Sequence, residues 1–155
     1  MKLKTKEDIG APIEYVFGAV SDFETFQRQA LRRGAEVARL DTLDQPGVGV
    51  AWDIAFGFRG KRRQVQIELI EYKPPTRMLF DSRMTGMTGQ LSVELMALSK
   101  TRTRLILELE LVPENLSARL LVQSLKLARG AIDKRAQVRV ADWAKGVEDR
   151  YTKMV

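Results

Sequence analysis

Neither cysteine nor histidine occurs among the 155 residues of this chain. Disulfides, thiol nucleophiles and Cys/His zinc sites are thereby excluded, as is any triad that needs an imidazole base. Catalysis would be left to carboxylates, Lys, Tyr, Ser/Thr and bound water, and no Asp/Glu run has the spacing of a calcium loop. No metal or cofactor is expected. Aromatic residues make up only 7% of the chain, and no basic–aromatic interleaving offers a base-stacking platform, so nothing points to nucleic acid. No stretch approaches the roughly 18–20 continuous apolar residues of a membrane helix. The basic start MKLKTKEDIGAP lacks the apolar run of a signal peptide, which makes the cytoplasm the expected compartment.

What is present fits a soluble globular protein: 45% hydrophobic and 30% charged residues, with a length that suits one domain over 1–155. The net charge is +6, from 26 basic and 20 acidic residues. Residues 114–155 carry +4 of it, through nine basic and five acidic side chains. Such an excess favours an anionic partner or simply solvates the surface.

Residues 3–9 alternate and read as a strand. Pro12 suits the first turn of a short helix reaching about Val20, because that turn's N–H groups lack intrahelical partners. Ser21-Asp-Phe-Glu24 has the S-x-x-E pattern of a capping box, which predicts a second short helix from about Asp22 to Leu31. From Ala35 to Val112 the period becomes two, the signature of strands. Turn signals at Arg59-Gly-Lys61, Pro74-Pro75, Gly86-Met-Thr-Gly89 and Lys100-Thr-Arg-Thr103 divide this stretch into an antiparallel meander with one apolar face. That face must be covered. The segment after Pro113 is the remaining large element, expected as one helix from about Asn115 to Tyr151.

Gly47-Val-Gly49 raises the possibility of a phosphate cradle. Such a loop needs a helix N-terminus directly after its glycines. Here a strand pattern, VAWDIAFGF, follows, so the glycines are expected to form a turn.

Ala11-Pro-Ile-Glu-Tyr-Val-Phe17, Ser21-Asp-Phe-Glu24, the Gly47-Val-Gly49 turn, Glu71-Tyr-Lys-Pro-Pro75 and the amphipathic C-terminal helix together resemble the START/Bet v 1-like (SRPBCC) superfamily. Its members include polyketide cyclase/dehydrase-like and lipid-transfer-like bacterial proteins, and the resemblance covers nearly the whole chain. It implies an α+β helix-grip fold, in which a curved antiparallel sheet wraps around a long C-terminal helix, with two short helices near the N-terminus. It also implies a cavity between sheet and helix for a small apolar or amphipathic molecule such as a lipid, quinone or polyketide. Fold resemblance does not choose among a carrier, a cyclase/dehydratase-like enzyme, and an interaction module with a filled core that binds a protein partner or a second copy.

The candidate ligand-binding residues are Phe17 and Phe26 from the short helices, and Trp52, Phe56, Phe80, Met84, Met87, Leu91 and Leu95 from the meander. A pocket lined by apolar and aromatic groups is what an apolar ligand requires, although the same side chains would also fill a core. Leu120 and Leu127 fall on the first apolar arc of the C-terminal helix, and Arg135 and Arg139 project near that arc at i, i+4 spacing. If this face looks into the cavity, the two guanidiniums would clamp a carboxylate or phosphate; if it has rotated, both stand in water. Gly130 marks a bend or a close backbone approach. Tyr15, Tyr72, Asp53 and Ser82 would need to be buried together to act as acid and base. No spacing groups them, so no catalytic residue is assigned.

Overall fold

The computed structural model describes all of residues 1–155. Seven strands form one antiparallel sheet: β1 (Lys2–Ile9), β2 (Glu36–Arg39), β3 (Ala51–Phe58), β4 (Lys61–Lys73), β5 (Arg77–Met84), β6 (Met87–Ser99) and β7 (Arg102–Pro113). Their order is β1-β7-β6-β5-β4-β3-β2, so the first two strands occupy opposite edges. The connection between those edges carries α1 (Ile13–Val20) and α2 (Phe23–Arg32), which cross the sheet's concave side. The chain ends in α3 (Leu116–Leu127) and α4 (Arg129–Met154), and α4 packs on β1. This is the Bet v 1-like helix-grip architecture expected from the sequence.

The expected glycine turn is present. Val50 N–H donates to Gly47 O at 3.2 Å, Gly49 has φ of +103°, and β3 begins at Ala51. Bulges after Leu69 and after Ala97 interrupt the β4–β5 and β6–β7 ladders and bend the sheet. The first one resets the alternation so that Tyr72 joins Leu69 on the concave face.

Three local expectations require correction. The cap of α2 is Asp22, not Ser21: the Asp22 carboxylate accepts from Thr25 N–H at 3.3 Å and Thr25 Oγ1 at 2.7 Å. Ser21 instead ends α1 and is buried, its Oγ 3.9 Å from Met78 Sδ. The β5–β6 turn is tighter than Gly86–Gly89, with Gly86 at φ +75° and Gly89 already inside β6. Gly89 is needed there for space, because a Cβ would stand 2.6 Å from Ser82 Oγ. Finally, the C-terminal segment is two helices. Ala128 leaves helical geometry at φ −99°, ψ 14°, two residues before Gly130, which has no close neighbour.

The packed core occupies one end of the molecule. Ile9, Ala11, Val16, Phe17, Val20, Leu69, Met78, Leu95, Leu105, Ala144 and Val147 are among its fifteen buried residues. Thr103 is buried among them and donates its Oγ1–H to Ala11 O at 2.8 Å. Glu148 of α4 fastens that end by accepting from Gly10 N–H at 2.6 Å.

Candidate functional site

Strand alternation and register together determine what meets on the concave face. One row runs Leu69–Phe80–Leu91–Leu109–Leu3 across five strands, and a second runs Trp52–Ile67–Ser82–Gly89–Leu111. Leu69 is fully buried, but Phe80, Leu91, Leu109 and Leu3 in the same row all keep contact with solvent. The same holds for Ile54, Phe56, Val65 and Met84 nearer the hairpin tips. An inward-pointing apolar side chain stays wet only where nothing fills the space above it. Only 21 of 155 residues are buried; Ile54, Phe80 and Leu91 border the packed core, while Leu3, Phe56, Val65 and Leu109 lie beyond it. The concave side is therefore packed at one end and an open apolar cleft at the other.

Helix α3 lies across the open end. Asn115 caps it by accepting from Ala118 N–H at 2.8 Å, and the chain just before it is tied to the β5–β6 turn through Glu114 N–H to Gly86 O at 2.7 Å. Ala118 and Val122 pack on Met87 in a separate small cluster, flanked by Met1, Met84, Leu111 and Leu121. Arg59 at the β3–β4 tip donates to Ser124 Oγ on the other flank of the helix. Arg129, opening α4, donates to Lys2 O at 2.6 Å and joins the helical corner to β1.

Where packed core meets cleft, Trp52 is held from several sides. Its Nε1–H donates to Gln27 Oε1 at 2.8 Å, and Phe23 meets its ring edge-on at 5.2 Å. The Arg39 guanidinium covers its ring at 5.6 Å. Asp41 orients Arg39 through two hydrogen bonds, at 2.6 and 3.0 Å, and accepts two more from Leu43 N–H and Ala51 N–H. These contacts hold the Asp41 carboxyl well below the usual carboxylate range, Arg39 contributing most.

The thirteen candidate residues now separate. Phe56, Phe80, Met84 and Leu91 face the cleft and are partly exposed. Phe26 stands at its rim, 6.2 Å from the Trp143 ring in a stacked arrangement. Phe17, Trp52 and Leu95 belong to the packed core, and Met87 is buried beneath α3. Leu120 and Leu127 are corrected to solvent, at 63% and 92% exposure, because Ala118 and Val122 supply the buried face of α3. Arg135 and Arg139 are corrected likewise. At 100° per residue they lie on the side of α4 away from Ala144 and Val147, and both are exposed.

A different arginine reaches the concave face. Arg63 pairs with Phe56 across β3 and β4 and therefore shares its face. Its Nε donates to Phe58 O at 3.3 Å, and its guanidinium lies 5.7 Å from the Phe58 ring. Its place in the run Arg63, Val65, Ile67, Leu69 marks it in the sequence, but the basic cluster Arg59–Arg63 disguises it as turn charge.

Polar groups inside the cleft are few, and no titratable pair meets there. Tyr15 packs on Tyr151 at 5.1 Å, Tyr72 on Phe17 at 5.4 Å, and Asp53 accepts from Gln64 at 2.8 and 2.9 Å on the convex face. Only Ser82 of those four points into the cleft region. The other perturbed groups are convex-face ion pairs. Arg104 lowers Asp8, and Lys73 followed by Arg77 lowers Glu71, while Asp8 in turn raises Arg104. Two depressions of about 260 and 370 Å³ also lie on the convex side, each lined by a single hydrophobic residue, Leu79 or Val112. Their polar walls do not suit an apolar guest.

A family model described as "Polyketide cyclase / dehydrase and lipid transport" matches residues 1–150. No curated protein matches the chain by sequence. Among solved structures it is similar to the Zhui aromatase/cyclase from Streptomyces sp. R1128, with a TM-score of 0.68 at 12% identity over 97% of this chain and 94% of that one. It is similar to Ara h 8.0201, with a TM-score of 0.60 at 10% identity over 99% and 98%. It is also similar to an Hsp90 activator from Plasmodium falciparum, with a TM-score of 0.51 at 19% identity over 84% and 96%. At these identities the likenesses establish the fold.

Proposed function

The chain belongs to the polyketide cyclase/dehydrase and lipid-transport family, and from that premise we propose that it binds a small, largely apolar molecule in the cleft between the sheet and α3–α4, as one domain over 1–155. The observation that carries this reading is the row Leu69–Phe80–Leu91–Leu109, in which one leucine is fully buried and its inward-facing neighbours are wet. Apolar walls with a few polar groups are what such a guest requires, and Met84 is soft enough to adapt to its shape. Phe56, Phe80, Met84 and Leu91 form the walls, with Phe26 at the rim. Trp52, fixed by Gln27 and Arg39, forms the floor. Arg63 lies on the concave face one step inside Lys61, which stands at the β3–β4 tip itself, so Arg63 receives the polar or acidic end of an amphipathic guest.

Binding is favoured over catalysis because no acid–base pair lies within reach of one point in the cleft. Native mass spectrometry of the protein purified from its own host, followed by denaturing extraction, tests the reading. A stoichiometric apolar or amphipathic molecule is expected. With fatty acids and their methyl esters as probes, Arg63→Met should remove the preference for the acid while leaving ester binding in place. An apo mass that persists after incubation with a broad lipid mixture overturns the proposal.

A further inference from the structure

The outer surface of α3 has an arrangement that the cleft does not account for. Leu116, Leu120 and Leu127 are 70%, 63% and 92% exposed. At 100° per residue they lie within about 40° of one another, directly opposite Val122 and Ala118. They form a ridge along the solvent side of the helix. Burying a leucine is worth roughly 1.5–3 kcal/mol, so three left bare in a row call for an occupant.

The charges around the ridge identify its chemistry. Arg119 and Lys126 flank it on one side. On the other, at Ser124, stands the β3–β4 tip with Arg59, Lys61 and the part-exposed Phe58. Arg119, Lys126 and Lys61 are in no ion pair, and α3 contains no acidic residue. Leucines projecting between two rows of cations match a helix lying in the headgroup layer of an anionic bilayer. There the apolar ridge enters the acyl boundary and the cations meet lipid phosphates.

We propose that α3 and the β3–β4 tip form a docking surface for an anionic lipid bilayer. The surface lies over the open end of the cleft, so docking would set that end against the membrane. The inference goes beyond ligand binding and does not depend on it, because the ridge and its cations lie outside the cleft.

The test is flotation of the full-length chain with vesicles of phosphatidylcholine alone and of equal parts phosphatidylcholine and phosphatidylglycerol, at low and high salt. The expected result is binding to the mixed vesicles only, weakened by salt. Leu120→Glu/Leu127→Glu should reduce it at least about tenfold. Lys61→Gln/Arg119→Gln/Lys126→Gln should cost about fivefold per cation removed. All five positions are exposed, so an unchanged thermal melt will show that the variants fold. Absence of binding to the mixed vesicles at low salt overturns the proposal, as does equal binding to both vesicle types. A leucine-dependent dimer in solution, seen by light scattering without vesicles, also overturns it, because the ridge would then be covered by a second copy.

Discussion

Leu69 and Leu91 flank Phe80 in the same cross-strand row, one with no exposed surface and the other wet. Enlarging Leu91 to tryptophan therefore separates a cleft from a core. In a filled interior, added side-chain volume typically costs about 1–3 kcal/mol through strained rotamers and displaced backbone. A chain of this length melts about 2–4 °C lower per kcal/mol lost, so a filled core would show a drop of roughly 2–12 °C. In an open cleft the indole extends into solvent-accessible space, and Leu91→Trp should melt within about 2 °C of the parent. Leu69→Ala is the internal standard. Removing a fully buried leucine side chain costs about 2–5 kcal/mol, a fall of roughly 4–20 °C. Differential scanning calorimetry of the three proteins makes the comparison. The ligand arm follows from the same variant, because an indole occupying the cleft should release whatever co-purifies with the parent. If Leu91→Trp falls as a filled core requires, the space above Leu91 is packed and the cleft does not exist.

Phe23 meets Trp52 and Phe80 edge-on, at 5.2 and 6.1 Å, and is buried. Phe23→Ala should cost about 3–5 kcal/mol in urea unfolding, and a loss below about 1 kcal/mol would show that the aromatic floor is not structural. For pH, Asp41 is the group to follow. Its folded carboxyl titrates below the ordinary value of about 3.9, so the stability it contributes is fully present above that value. That stability is lost as the pH falls below it toward the depressed folded value. Melting temperature should accordingly be flat above about pH 5 and decline below pH 4. Asp41→Asn should make the acid decline shallower, and an unchanged slope would show that Arg39 and the two backbone donors do not hold the carboxylate in solution.

The sheet was legible in the sequence because its period-two runs are long and its turns are marked by glycine and proline. The helices were less so, for a physical reason. In α3 apolar residues occur nearly all the way round, with Ala118, Val122, Leu121 and Leu125 inward and Leu116, Leu120 and Leu127 outward. Periodicity alone then cannot say which arc is covered, and it placed Leu120 and Leu127 in the cavity. Arg135 and Arg139 were placed by that same arc, whereas Ala144 and Val147 mark the buried side of α4, away from both. The contacts that fix Trp52 come from Gln27 and Phe23, a helix and a loop away, where no spacing rule reaches. Arg63 was within reach, because the alternation that places Val65 and Ile67 inward extends one step further to it.

The strand order also affects how the chain is made. β1 is synthesised first, yet its only partner is β7, with Lys2 opposite Glu110 and Ile9 opposite Thr103. At about 5–20 residues per second, the ribosome needs roughly 5–20 s to produce that partner. Throughout the delay β1 is an unpaired strand of the kind that recruits other nascent chains. Lys2, Lys4 and Lys6 alternate along it on the face that becomes convex, so its lysines guard against misassembly before they take part in the finished surface.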